Sequence, residues 1–285
     1  MKKPEVLIIR AAGTNCDWET EYAFEKAGAL VDRLHINRIL EQKDIIHRYH
    51  IIAIPGGFSY GDDIAGGKVL ANQLRFNLQE EIQRFISDGK LILGVCNGFQ
   101  VLVKSGLLPG FNRGDSSLTL RMTEGGLRMT GNKKALNGVE QEATFTFNDS
   151  SKFEDRWVYL KLCSNKSVFI REGDVLYLPV ANAEGKFVVK DDAVLQKLIA
   201  SEQIIFKYTD NEGNPAGYPF NPNGSVDNIA GICDPTGRIL GMMPHPERHA
   251  EPTQHPRWTR EGLKDEGDGI TIFRNAINFV KNNLL

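Results

Sequence analysis

The sequence predicts an α/β protein with a mostly parallel central sheet flanked by helices and a nucleophile elbow at the end of one strand. Three observations carry that expectation. Short apolar runs alternate with amphipathic stretches through the first third of the chain. The stretch LILGVCNGFQVL at 91–102 joins an apolar run to a helical pattern through a cysteine set between Gly94 and Gly98. The 285 residues are enough to bury a large core. We read the chain as a single domain over 1–285, with an insertion at 112–146 and a C-terminal extension at 249–285.

The elements follow in order. Val6 to Ile9 reads as a strand, and Trp18 to Lys26 as a helix started near Asp17 and ended by Gly28. Ile51 to Ile54 is a second strand, running into PGGFSYGDD. A long helix is predicted over Leu70 to Ile86, stopped by Gly89, and leads into a strand at Leu91 to Val95. Residues 112–146 are polar, glycine-bearing and weakly periodic, the pattern of an insertion. Further strands are expected at Trp157 to Leu162, Phe187 to Val189, Ile204 to Tyr208, Ile229 to Cys233 and Ile239 to Met243, with turns such as DPTGR between them. An amphipathic helix over Ile270 to Val280 is expected to pack back on the core. In an open parallel sheet, ligands gather at the carboxyl ends of the strands, where both Cys96 and the glycines at 56–57 fall.

Composition narrows the function. Lys and Arg total 34 against 36 Asp and Glu, a formal net charge of -2, so no basic footprint for nucleic acid stands out. No apolar run approaches the roughly 20 residues of a membrane span, and the run after Pro4 is too short for a signal peptide. Cys16, Cys96, Cys163 and Cys233 lie far apart with no CxxC pair, which argues against a disulfide framework or a structural zinc site. A reducing cytoplasm is the expected location.

A cysteine is a useful nucleophile as its thiolate. A helix starting near Asn97 would point free N–H groups and its positive dipole end at the Cys96 sulfur. Gly94 and Gly98 fit an elbow too crowded for side chains, although the same segment also fits a tight turn around a small buried residue. In MMPHPERH at 242–249, His245 supplies a base and Glu247 an orienting acceptor, in a segment that Pro244 and Pro246 hold extended. A proline-rich surface loop with an Arg248 ion pair, and a metal set of His245, Glu247 and His249, are the competing readings. The amides of Gly57 and Asn97 are candidate donors to an oxyanion. A phosphate loop is excluded by spacing, because Lys68 is followed by Val69 and Asp62 stands where the first glycine belongs. Cys16, in AAGTNCDWE, also precedes a helix and is the rival nucleophile.

These motifs together resemble the class I (triad-type) glutamine amidotransferases, and among them the glutaminase subunits of phosphoribosylformylglycinamidine synthase. The resemblance rests on GTNCDWETEYAFEKAG at 13–28, PGGFSYGDDIAGGK at 55–68 and GVCNGFQVLVKSGLLPG at 94–110. It continues through FNDSSKFEDRW at 147–157, PVANAEGKF at 179–187, NPNGSVDNIAGI at 221–232 and MPHPER at 243–248. It implies a flavodoxin-like fold and L-glutamine as substrate, with Cys96 attacking the side-chain amide, His245 protonating the departing ammonia and Glu247 orienting His245. It also implies backbone donors at Gly57 and Asn97 and a substrate contact from Gln100. Asn182 stands where the family commonly has His, near the glutamine pocket, and is a further candidate for substrate binding. The resemblance implies no cofactor in this chain. ATP and Mg would serve a separate PurL-type synthetase subunit, with a small PurS-type subunit bridging the complex.

Overall fold

The computed structural model describes residues 2–111, 141–171 and 175–285. Of the insertion expected at 112–146, residues 112–140 lie outside the described residues.

The chain opens with β1 (Glu5–Arg10), α1 (Asp17–Lys26), β2 (Leu30–His35) and α2 (Ile36–Glu41). There follow β3 (Ile51–Ile54), α3 (Lys68–Asn77), α4 (Gln79–Ser87), β4 (Leu91–Val95) and α5 (Asn97–Lys104). The second half contributes β5 (Ala143–Thr146), β6 (Glu154–Leu162), β7 (Leu176–Asn182), β8 (Lys186–Val189), α6 (Asp192–Ala200) and β9 (Ile204–Thr209). It closes with β10 (Ile229–Cys233), β11 (Ile239–Met242), α7 (Trp258–Glu261) and α8 (Ile270–Asn283).

A nine-stranded sheet runs in the order β2-β1-β3-β4-β11-β10-β9-β6-β7. From β2 to β11 every pairing is parallel, as the alternation of strand and helix requires. From β11 outward the pairings are antiparallel, extending the parallel half with hairpins and a meander. The strands β5 and β8 form a separate antiparallel pair. Every residue of β3, β4, β10 and β11 is buried, which is why these strands read as unbroken apolar runs rather than as alternating patterns. The turn DPTGR closes β10 onto β11, with the Asp234 carboxylate accepting from the backbone N–H groups of Arg238 and Ile239.

The long helix expected over 70–86 is two helices, α3 and α4, parted at Leu78, whose φ of -126° and ψ of 15° leave the helical region. The sequence shows why. Leu70, Leu74, Leu78 and Ile82 recur every fourth residue and are all buried. A stripe spaced by four drifts by about 40° per step around a helix of 3.6 residues per turn, and the break resets it toward the core. The C-terminal α8 packs on α1 through an edge-to-face pair of Phe24 and Phe273, centroids 4.9 Å apart. No helix among the described residues is long and apolar enough to cross a membrane.

Candidate active site

Cys96 sits between the end of β4 and the first residue of α5 with φ at 51° and ψ at -108°. A non-glycine residue reaches that region only where its surroundings force it. The constraint is steric. A Cβ on Gly98 would lie 1.8 Å from the carbonyl oxygen of Ile54, and one on Gly94 would lie 2.7 Å from that of Gly98. Both positions therefore admit only glycine, and the chain turns directly from strand into helix. The Cys96 N–H donates to Met242 O at 2.8 Å, which ties the elbow to β11.

The same strand leads to the candidate base. His245 follows β11 after Met243 and Pro244 and is 1% exposed, as is Glu247. Its Nδ1–H donates to Glu247 Oε1 at 2.6 Å. The extended conformation expected of the whole segment stops at His245. Pro246–His249 forms a 3-10 turn with the proline at its first position, and the turn swings Glu247 back beneath the ring. With Nδ1 committed to the carboxylate, Nε2 is the nitrogen left available, and it is buried without a hydrogen-bond partner among the described residues. Burial opposes charge on this ring. The Glu247 carboxylate, Cys96 and Cys16 outweigh it and hold His245 well above the ordinary imidazole value.

Elbow and base meet over Gly56. A Cβ there would stand 2.6 Å from His245 Cε1, 3.2 Å from Cys16 Sγ and 3.3 Å from Cys96 Cβ. Gly57 comes next in the chain, with φ at 134°, paired across an isolated bridge to Thr14. Asn97 opens α5, so its N–H is one of the first-turn amides that a helix leaves free. Its side chain is committed: Oδ1 accepts from the Ser59 N–H at 3.2 Å, and Nδ2 donates to Asp62 at 3.0 Å and to Gln100 Oε1 at 2.9 Å. The Gln100 amide then donates to Glu184 O at 2.7 Å. Gln100 thus lies beneath the glycine loop, where a Cβ on Gly66 would be 2.5 Å from its Oε1.

On the other side of the elbow, Cys96 Sγ lies 3.7 Å from Ala181 O. The adjoining Asn182 belongs to a buried amide cluster. Asn223 Nδ2 donates to Asn182 Oδ1 at 2.7 Å and to Asn148 Oδ1 at 2.8 Å, while Asn148 Nδ2 donates to Asn182 O at 2.8 Å. The Nδ2 of Asn182 is buried with no partner among the described residues. Three sequence motifs, FNDSS, PVANAEG and NPNGS, therefore converge on one network that fixes the chain beside Cys96.

One further residue, read in the sequence as the rival nucleophile, belongs to this site. Cys16 Sγ is 4.0 Å from His245 Nδ1. Burial, the largest influence on it, raises its thiol above the usual range, a poor condition for a nucleophile. Cys16, His245 and Glu247 also form the one cluster of three metal-ligating side chains found among the described residues, their atoms within 4.8 Å of each other. His249, a ligand in the metal reading, is not part of it: its Nδ1 is paired with Tyr177 O at 2.8 Å. The cluster suits a metal poorly. Ligand atoms around a tetrahedral zinc stand roughly 3.3 Å apart, wider than the 2.6 Å His245–Glu247 bond, and the Arg248 cation donates to Cys16 Sγ at 3.2 Å.

Residues 3–280 match the CobB/CobQ-like glutamine amidotransferase domain family. The chain belongs to this glutamine amidotransferase family. Among curated relatives of this amidotransferase, phosphoribosylformylglycinamidine synthase subunit PurQ of Dehalococcoides mccartyi is 44% identical over 283 residues, covering 99% of each chain. The protein of the same name from Archaeoglobus fulgidus is 40% identical, covering 97% of each. Among solved structures, PurLQS from Thermotoga maritima contains a chain with a TM-score of 0.67 and 26% identity, covering 98% of this chain and 100% of that one. A putative GMP synthase protein from Thermoplasma acidophilum, TM-score 0.53 and 12% identical over 99% of this chain and 96% of that one, shares the fold.

Proposed function

We propose that this amidotransferase is the glutaminase subunit of phosphoribosylformylglycinamidine synthase, hydrolysing L-glutamine to glutamate and ammonia for use by a synthetase subunit in purine biosynthesis. The observation that carries the chemistry is the convergence of the strained Cys96 elbow and the His245–Glu247 pair over Gly56. The pathway assignment is supported by PurQ relatives aligned over nearly the whole chain.

The Cys96 thiolate attacks the γ-carbonyl carbon of glutamine, forming a C–S bond and placing negative charge on the oxygen. The N–H groups of Gly57 and Asn97 receive that charge; each such donor typically lowers a barrier by about 3 kcal/mol. The His245 imidazolium gives its Nε2 proton to the amide nitrogen as the C–N bond breaks, releasing ammonia. His245, now neutral, takes a proton from water as the oxygen attacks the thioester; the C–S bond breaks and the thiolate returns. Glu247 holds the ring in the Nδ1–H tautomer throughout. Gln100 and Asn182 border the glutamine pocket, and contact from Gln100 to substrate requires exchange of its bond to Glu184.

The partners that follow are a PurL-type synthetase subunit, which uses ATP and Mg with formylglycinamide ribonucleotide, and a small PurS-type bridging subunit, the combination that the name of PurLQS from Thermotoga maritima spells out. The complex would work in the cytoplasm. The test is ammonia release from glutamine by the chain with and without its synthetase subunits. The expected result is strong stimulation by the partners, abolition by Cys96→Ser and a fall of about 10²-fold or more in Glu247→Gln. Undiminished release from Cys96→Ser refutes the assignment.

A further inference from the structure

Cys16 is held with unusual completeness for a residue in a loop. Its N–H donates to Gly56 O at 3.3 Å, and its carbonyl accepts from the Thr20 N–H at 3.0 Å and the Thr20 hydroxyl at 2.7 Å. The next residue, Asp17, is buried and ion-paired to Arg33 at 3.1 Å and Arg10 at 3.3 Å, which anchors the start of α1. The sulfur is held as firmly as the backbone. The thiol donates to Asn15 Oδ1 at 3.3 Å, and Arg248 Nη2 donates to the sulfur at 3.2 Å while its Nε donates to Glu19 at 3.2 Å. The object of this grip is the His245 ring, whose Nδ1 lies 4.0 Å from the same sulfur.

We propose that Cys16 is a positioning residue of the glutaminase: its sulfur forms the wall against the Nδ1 edge of His245, beside the bare face of Gly56, and fixes the ring's tilt between Glu247 and Cys96. The inference rests on the role given to His245 above and assigns Cys16 no contact with substrate. Among the groups that border the ring are Glu247 on Nδ1, Cys16 beside it, Cys96 from the elbow, and the backbone of Gly56 against Cε1. Remove the sulfur and the Nδ1 edge faces a void, so the ring can rock about its Cβ–Cγ bond and lengthen the bond to Glu247. A polarisable acceptor is also lost from the imidazolium. The titratable groups acting on His245 are Glu247 from its own segment, Cys96 from the elbow and Cys16 from the turn before α1, while the Arg248 guanidinium bears on Cys16, Glu19 and Glu247. Only Cys16 changes in the test.

The readout is the pH midpoint of Cys96 alkylation by iodoacetamide in the full-length chain, followed by peptide mapping. It reports the coupled ionisation of Cys96 and His245 and needs neither substrate nor partner. Cys16→Ala is expected to raise that midpoint by about half a unit to one unit, slowing alkylation about threefold to tenfold on the acid side. Cys16→Ser, which keeps a polar atom at the same place, is expected to restore most of the difference. An unchanged midpoint in Cys16→Ala overturns the proposal, and so does a shift in Cys16→Ser as large as in Cys16→Ala. Should Cys16→Ala prove too unstable to assay, the same measurement is made with an osmolyte that favours the folded state and leaves the void unfilled, with the same two outcomes. Ammonia release from glutamine by the Cys96→Ser protein is scored separately, so a failure of the glutaminase assignment is not confused with a failure of this one.

Discussion

Substituting Gly56 by alanine is expected to silence the enzyme while leaving it folded. The backbone at Gly56 does not occupy the left-handed region, unlike that of Gly57, so an alanine is conformationally permitted there. What forbids it is the site. The new methyl would stand 2.6 Å from His245 Cε1, and ordinary contact begins near 3.4 Å, so the ring must retreat by about 0.8 Å. The two sulfur-bearing side chains, at 3.2 and 3.3 Å, need move only slightly. A misplacement of about 1 Å in a catalytic group costs on the order of 10² in rate, so glutaminase turnover with the synthetase subunits is expected to fall about 100-fold. Overpacking one methyl costs about 1–3 kcal/mol of stability, a loss of a few degrees in unfolding temperature for a chain of this size. The matched control is Gly217→Ala, where the added methyl meets nothing within 4 Å. Turnover of Gly56→Ala within twofold of the parent would refute the placement of the ring over this glycine.

Two further outcomes are expected. Gly98→Ala forces a methyl to within 1.8 Å of the Ile54 carbonyl, in a strand with no freedom to yield; a stability loss of about 3 kcal/mol or more in chemical denaturation is expected, and a loss under about 1 kcal/mol would contradict the elbow packing. His249 is kept below the ordinary imidazole value, chiefly by burial. Its folded form resists the proton that its unfolded form accepts. Its contribution is therefore complete above the unfolded value near 6.5 and is lost as the pH falls through the folded one. Urea unfolding across that acid range should show stability rising with pH, and His249→Gln should flatten the rise; identical slopes in the two proteins would remove His249 as the cause.

The sequence makes the parallel centre of the sheet legible and its margins obscure. Ile51–Ile54, Leu91–Val95 and Ile229–Cys233 are buried on both faces, so their apolar runs announce themselves residue for residue. By contrast β2, LVDRLH, is an edge strand carrying charges, with Leu30 52% exposed, and nothing in its pattern sets it apart from a loop. The other edge, β7, contains Pro179, which argues against a strand in general and is tolerated here because one side of β7 has no partner strand. A cap signal for α6 is present in Asp191, whose carboxylate accepts from the Val194 N–H at 3.0 Å, followed by the stripe of Val194, Leu195 and Leu198.

The site shows the same division. Cys96, His245 and Glu247 are legible as candidates because each lies in a short motif whose local geometry suggests a chemistry. The role of Cys16 is not, because its contact with His245 spans 229 positions and leaves no periodic trace. Its residue type and the helix after it suggest a nucleophile, and neither feature carries its place beside the imidazole. The motifs FNDSS, PVANAEG and NPNGS are likewise visible as words, while the cross-segment amide bonds among Asn148, Asn182 and Asn223 exist only in the folded chain.

The insertion of β11 between β4 and β10 has a bearing on biogenesis. As the polypeptide leaves the ribosome, the thiol of Cys96 emerges early and in an unmade elbow, since the Met242 carbonyl that receives its N–H has not yet been synthesised. The imidazole follows just after β11, the last in chain order of the described strands of this sheet. A nascent chain that has not yet reached β11 thus carries the sulfur without the imidazole, and under the mechanism proposed above it cannot hydrolyse glutamine.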